Sequence, residues 1–223
     1  MIACRWLKLL VMALVSLCIG ACAYVGDRNA PTAKVASSVH EADQPRVLIV
    51  YQTKYGSTRQ YAEWLHKDIL SDLVSADKAD KNEFSRYDVI VFGSYIRMGR
   101  IGIAPLIVET RDALKGKKVI LFTTSGTPPS HPNIQRMYLS NLPEEIRKGI
   151  KYFPLRGKML SKDLGFFDKF LVAVGRIMER DESLRIVMAE DFDGVKPENL
   201  IPVLEYIKTP LLPKEKSIES ANP

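Results

Sequence analysis

Residues 46–58, RVLIVYQTKYGST, join a run of aliphatic and β-branched side chains to a cluster of hydroxyls around one glycine. A run as short as 47–51 suits a strand buried on both faces. Thr53, Ser57 and Thr58 bring hydroxyl donors, Lys54 brings a cation, and Gly56 lets backbone come close to a ligand. From Thr58 an amphipathic pattern sets in, with Ala62, Leu65, Ile69 and Leu73 at spacings of three and four. A helix start leaves N–H groups without intrahelical acceptors and carries partial positive charge. Strand, hydroxyl-rich loop and helix start together form a recipe for holding a phosphate. The residues alone leave open a plainer alternative, an ordinary strand-to-helix turn capped by serine or threonine. Two common phosphate loops are excluded here. Lys54 precedes Gly56 with no glycine upstream, so G-x-x-x-x-G-K-[ST] is absent, and G-x-G-x-x-G is absent too.

The elements that must position this loop repeat its design. Residues 88–93 (DVIVFG) and 118–124 (KVILFTT) are further buried strands, each running into a polar loop. The first leads to Ser94, Tyr95, Ile96, Arg97, Met98 and Gly99, with Arg100 and another glycine just beyond. The second leads through Thr124 to Ser125, Gly126 and Thr127 and on into prolines. Helices are expected over 104–114, over 133–148 with a break near Pro143, over 166–180, and over 197–208 with a bend at Pro202. Residues 73–74 fit a short edge strand, 151–155 another strand, and 77–85 a charged loop. Short apolar strands alternating with helices mean an α/β fold with a parallel sheet covered on both faces. In an open sheet of that kind the loops after the strands meet at one edge. The three glycine-containing loops should therefore converge, one on a phosphate and two on a flat ring.

With 46% hydrophobic residues, the 223-residue chain can bury one domain and not two. Residues 1–22 read as an export leader: Arg5 and Lys8 precede an apolar stretch, 9–19, that is short for a bilayer span. It ends in Ile19, Gly20, Ala21 and Cys22, small residues before a cysteine, as in a bacterial lipobox. Lipidation of Cys22 is expected, and with it an extracytoplasmic, membrane-anchored protein. An uncleaved signal anchor is the alternative. Residues 23–45 have a linker's composition and 209–223 that of a disordered tail, leaving 46–208 as the folded domain. Cysteines occur at positions 4, 18 and 22 alone, so the domain has no thiol for a disulfide or metal site. His40, His66 and His131 are too scattered to suggest a metal cluster. Asp88, Glu109 and Asp112 are spaced as surface charges, and no catalytic residue is singled out. The formal net charge is +6, or two less once Arg5 and Lys8 leave with the leader. That basic balance suits a membrane surface or an acidic redox partner; no nucleic-acid partner is expected.

The T-x-Y-G-x-T pattern of the first loop resembles the phosphate loop of flavodoxins. VLIVYQTKYGSTRQYAEWL followed by YDVIVFGSYIRMGRI is similar to the branch that includes menaquinone-dependent protoporphyrinogen dehydrogenase. Leu155, Arg156 and Gly157, followed by Phe167, Asp168, Lys169 and Phe170, resemble that branch too, in a region that classical flavodoxins lack. The resemblance covers 46–208. It implies a flavodoxin-like, open, doubly wound parallel sheet of five strands, order 2-1-3-4-5, with FMN bound. Thr53, Lys54, Gly56, Ser57 and Thr58 would then cradle the phosphate, with Tyr55 beside them. Ser94, Tyr95, Ile96, Arg97, Met98 and Gly99 would run along the isoalloxazine. Thr124, Ser125, Gly126 and Thr127 would close its other side. Met98 and Arg100 stand where the dehydrogenases tend to carry an aromatic residue and a histidine. An FMN-dependent oxidoreductase at a membrane surface is the first expectation, with a quinone or tetrapyrrole as substrate. An electron carrier serving a redox protein and a flavin-free binding lipoprotein are the alternatives. In 166–180, Phe166, Phe170 and Val174 form an apolar stripe flanked by Lys162 and Lys169. It either packs on the sheet or faces a membrane or substrate.

Overall fold

The computed structural model describes residues 44–210; the leader, Cys22 and the tail beyond 210 lie outside them. Strand β1 (Val47–Tyr51) is wholly buried and pairs in parallel with β2 (Asp72–Ser75) on one side and β3 (Val89–Arg97) on the other. Next come β5 (Lys118–Ser125) and β6 (Ile150–Arg156), again in parallel, giving the order β2-β1-β3-β5-β6. This is the five-stranded 2-1-3-4-5 arrangement, a flavodoxin-like α/β sheet, with one short strand β4 (Arg100–Ile101) added off β3.

Alternation along the strands fills both faces. Leu48, Val50, Ile90, Phe92, Val119 and Leu121 point into one apolar cluster. Val47, Ile49, Tyr51, Val89, Val91, Ile120 and Phe122 point into the other. Helices α2 (Ala104–Glu109) and α3 (Pro132–Asn141) supply Leu106, Ile107 and Tyr138 to the first cluster. Helix α1 (Ser57–Asp68) and the closing helix α7 (Ile201–Lys208) supply Tyr61, Ala62, Leu65, Val203 and Ile207 to the second. The sheet is so tight that a Cβ on Gly93 would lie 2.3 Å from the Phe122 ring.

Several expected boundaries shift. Helix α1 stops at Asp68, and Leu73 belongs to β2, because the edge strand takes the residues that would have extended the helical pattern. Residues 81–86 form a 3-10 turn where a charged loop was expected, and α2 ends at Glu109. Pro143 separates α3 from α4 (Glu144–Arg147), as the sequence indicates. Pro202 lies in the first turn of α7, where it costs no helical hydrogen bond, so it begins that helix and does not bend it.

The largest addition lies between β6 and α7. Strands β7 (Lys158–Met159) and β8 (Phe192–Asp193) pair antiparallel into a short stem, which carries α5 (Phe166–Met178) and α6 (Glu182–Val187). The buried Tyr61 hydroxyl binds both ends of this excursion. It donates to the Arg156 carbonyl at 2.9 Å and accepts from Asn199 Nδ2 at 2.6 Å and the Lys196 N–H at 3.3 Å.

Candidate functional site

Residues 52–56 link β1 to α1, and Ser57 and Thr58 open the helix. Gly56 takes φ +84°, a left-handed conformation that a side chain would oppose, and its N–H donates to Thr53 Oγ1 at 3.0 Å. No side chain caps α1, so the helix start keeps its donor character. Thr58 is buried, and its hydroxyl meets Thr124 Oγ1 at 2.9 Å. Thr124 in turn bonds the Ser94 carbonyl at 3.4 Å. Two hydroxyls and a carbonyl thus tie the start of α1 to the ends of β5 and β3 beneath the loops.

The second loop is less a loop than a hairpin. β3 continues to Arg97 and turns at Met98 and Gly99, both at positive φ (+51° and +74°), into β4. That is the backbone of a type I′ hairpin turn. Asn141, the last residue of α3, clamps it: Nδ2 donates to the Gly99 carbonyl at 2.7 Å, and Oδ1 accepts the Ile101 N–H at 2.9 Å. The expected irregular stretch after Gly93 is therefore regular as far as Arg97. On the third side, Arg156 donates to the Gly126 carbonyl, and its guanidinium sits 4.4 Å from the Phe192 ring centroid.

These pieces surround one cavity of about 440 Å3, within the roughly 300–1,000 Å3 of small-molecule sites. Thr53, Lys54, Tyr55, Ser57, Thr58, Tyr95, Ile96, Arg97, Met98, Gly99, Thr124, Ser125, Gly126 and Thr127 all line it. Gly56 and Ser94 do not. Gly56 shapes the loop from behind, and Ser94 is fully buried with its hydroxyl accepting the Ile103 N–H at 3.0 Å. The cavity is roofed by the excursion after β6, which contributes Leu171, Val172, Gly175, Leu184, Val187 and Met188. Hydroxyls and a helix start at one end suit a phosphate; apolar walls elsewhere suit a flat ring.

Asp168 is the residue whose role the sequence did not disclose. It is the buried residue of α5, and both of its oxygens are engaged. Lys54 Nζ reaches Oδ2 at 2.8 Å, and the Tyr55 hydroxyl donates to the same oxygen. Arg97 donates to Oδ1 through Nε at 3.0 Å and through Nη2. Burial would raise its pKa, but the hydrogen bonds from Lys54, Tyr55 and Arg97 outweigh it and hold the carboxyl at about 2. Burial, then the bond to Asp168, pushes the Tyr55 phenol well above its ordinary value. The signal was present as spacing: 168, 171, 172 and 175 form one helical face, and all four line the cavity. The stripe of Phe166 and Phe170 does not pack on the sheet. Phe166 is 91% exposed and Phe170 45%, with Ile177 at 80% farther along α5.

A second concavity, about 870 Å3, lies along the β3–β4 hairpin. It shares Tyr95, Arg97, Met98 and Leu171 with the first and adds Arg100, Val108, Asn141 and Phe167.

The family model described as "Flavodoxin domain" matches residues 48–184. Among solved structures, the chain is similar to the flavodoxin, WrbA-like protein from Agrobacterium tumefaciens (19% identity, 54% of this chain and 88% of that one, TM-score 0.40). It is also similar to the Trp repressor binding protein from Bacillus subtilis (15%, 61% and 99%, TM-score 0.39). A third is a flavoprotein in complex with FMN from Lactobacillus acidophilus (20%, 51% and 93%, TM-score 0.36). No curated protein matches the sequence.

Proposed function

The chain belongs to the flavodoxin domain family, with FMN as its cofactor, and from that premise we propose that it is an FMN-dependent oxidoreductase working at a membrane surface. The observation that carries this reading is the convergence of three strand-end loops and a roof on one cavity, polar at the helix start and apolar elsewhere. Bound there, FMN supplies one- and two-electron transfer. Thr53, Ser57, Thr58 and the first N–H groups of α1 are the phosphate's partners. Residues 95–99 and 124–127 would flank the ring, with the roof along its remaining side.

The groove along the hairpin favours an enzyme over an electron carrier, because it offers a second small molecule a place beside the first cavity. A quinone or tetrapyrrole is the proposed class, following the resemblance to protoporphyrinogen dehydrogenases. The membrane part of the proposal is supported by the outer face of the roof. There Phe166, Phe170, Ile177 and Met178 are exposed among Lys162, Lys169, Arg176 and Arg180. Aromatic side chains settle at lipid interfaces, and basic groups near an anionic surface contribute about 1 kcal/mol each. Among the described residues no helix is long and apolar enough to cross a membrane. Anchoring would come from a lipid on Cys22, in a bacterial extracytoplasmic lipoprotein, and release of Cys22→Ser from membranes tests that part.

The purified full-length protein should be yellow, with one FMN per chain in its visible spectrum. A colourless protein that takes up no added FMN refutes the reading. Turnover of a quinone acceptor then separates enzyme from carrier. Reversing Lys162 and Lys169 to Glu, both outside the cavity lining, should leave FMN bound and lower quinone turnover on anionic vesicles. A wild type that reduces no quinone identifies a carrier with a redox protein as partner.

A further inference from the structure

The roof is not part of either apolar core. Among the described residues, none between 157 and 194 belongs to the clusters on the two sheet faces or packs against them, although Leu184 of α6 is itself buried. Its inner surface faces a cavity, its outer surface is exposed, and its stem is two residues long on each side. Beyond the Arg156–Phe192 stacking at the stem and the buried Leu184, polar contacts fasten it across the cavity. His131 Nε2 and Asp181 Oδ2, 3.0 Å apart, join the start of α3 to the turn before α6. The Lys158 N–H reaches Ser57 Oγ at 3.3 Å. The densest fastening is Asp168, which meets Lys54 and Tyr55 on the first loop and Arg97 on the hairpin.

We propose that Asp168 is a positioning residue that latches the roof to two cofactor loops at once, and that this latch sets the rate at which FMN enters and leaves. The inference rests on the reading of the cavity as the FMN site. One carboxylate answers two cations and a phenol, and its side chain is 10% exposed beside an Arg97 that is 22% exposed. In so sheltered a place the Arg97 pair is weakly screened, and that of the more exposed Lys54 more strongly. Lifting α5 separates all three partners together, because both oxygens belong to a single side chain. Helices α5 and α6 form one wall of the cavity, so their position sets how wide its mouth stands. Asp168 also holds Lys54 and Arg97 in place along the lining. Losing it loosens the roof from both loops in one step, while Asn141 still clamps the hairpin.

The latch predicts the opposite sign from simple electrostatics. An anion that merely repelled a phosphate would, once neutralised, slow the loss of FMN. A latch, once neutralised, speeds it. The test uses the full-length, FMN-loaded protein, with release followed after dilution as the recovery of free-flavin fluorescence. Asp168→Asn should release FMN at least tenfold faster than wild type, and Asp168→Glu should restore part of the difference. Tyr55→Phe, which removes one donor and keeps the ion pairs, should accelerate release less. It stands in if the Asn variant does not unfold cooperatively. The flavin-free arm is limited trypsin digestion of the FMN-stripped protein. Cleavage after Lys162, Lys169 and Arg176 should quicken in the variant while cleavage elsewhere keeps its rate. Release unchanged or slowed overturns the latch, as does roof cleavage at the wild-type rate. If the wild type takes up no FMN, the cofactor reading fails, and the digestion still judges whether Asp168 fastens the roof.

Discussion

Two residues show how a single polar group at this site serves more than one element. Asp168 has a folded-state pKa of about 2, below the ordinary aspartate value of about 3.9. The unfolded chain therefore binds the proton more readily, and stability falls as pH falls. The carboxylate's contribution, roughly 2 kcal/mol, is complete above about pH 4 and vanishes as pH drops through 2. The difference in urea midpoint between wild type and Asp168→Asn should accordingly close across that window. A difference that stays constant would place the stabilising charge elsewhere. Thr58 is the second case. Its hydroxyl lies at the helix start and also bonds Thr124, so it belongs to the loop and to the brace beneath it. Thr58→Ala should weaken FMN binding by roughly 1.5–3 kcal/mol if the hydroxyl meets a charged phosphate, while Thr58→Ser retains it. Equal FMN titrations for the two variants would remove Thr58 from the phosphate site.

At the scale of elements, regular pattern made the sheet legible and irregular pattern hid the roof. Strands such as 47–51 and 118–125 alternate between two apolar clusters, and both sides being buried leaves an unbroken run that marks each strand in the sequence. Fourteen of the sixteen residues expected around the ring and phosphate line the cavity because strand-end loops in such a sheet face one edge. The hairpin at Met98 and Gly99 was not legible: methionine at positive φ is held there by Asn141, 40 residues away from Ile101. The stem of β7 and β8 could not be foreseen either, since two-residue strands carry no periodicity. In α5 the more conspicuous aromatic stripe drew attention from the quieter inward face of 168, 171, 172 and 175. Sheet packing supplies its own prediction at this scale. Gly93→Ala would place a methyl 2.3 Å from the Phe122 ring and should cost about 1–3 kcal/mol, read as a lower thermal midpoint. Phe122→Leu in the same chain should recover part of it by making room.

The whole molecule divides its labour between a packed sheet and a cover. The sheet has its core on two faces, whereas the cover has an inner face over the cavity and an outer one set with aromatic and basic side chains. That outer face lies one helix thickness from the cavity. The stem has a further consequence. The chain departs at Gly157 and comes back at Gly194, whose N–H donates to the Gly157 carbonyl at 3.1 Å. Departure and return are one hydrogen bond apart, so the excursion can be excised. Joining Lys158 to Asp193 through a two-residue Asn-Gly turn, which suits a tight hairpin, should leave a shorter protein that still unfolds cooperatively, less stable for the loss of the Asp168 contacts, with an open cofactor shelf. Covers of other lengths could be grafted onto the same two glycines, making the cover an interchangeable part on a fixed chassis.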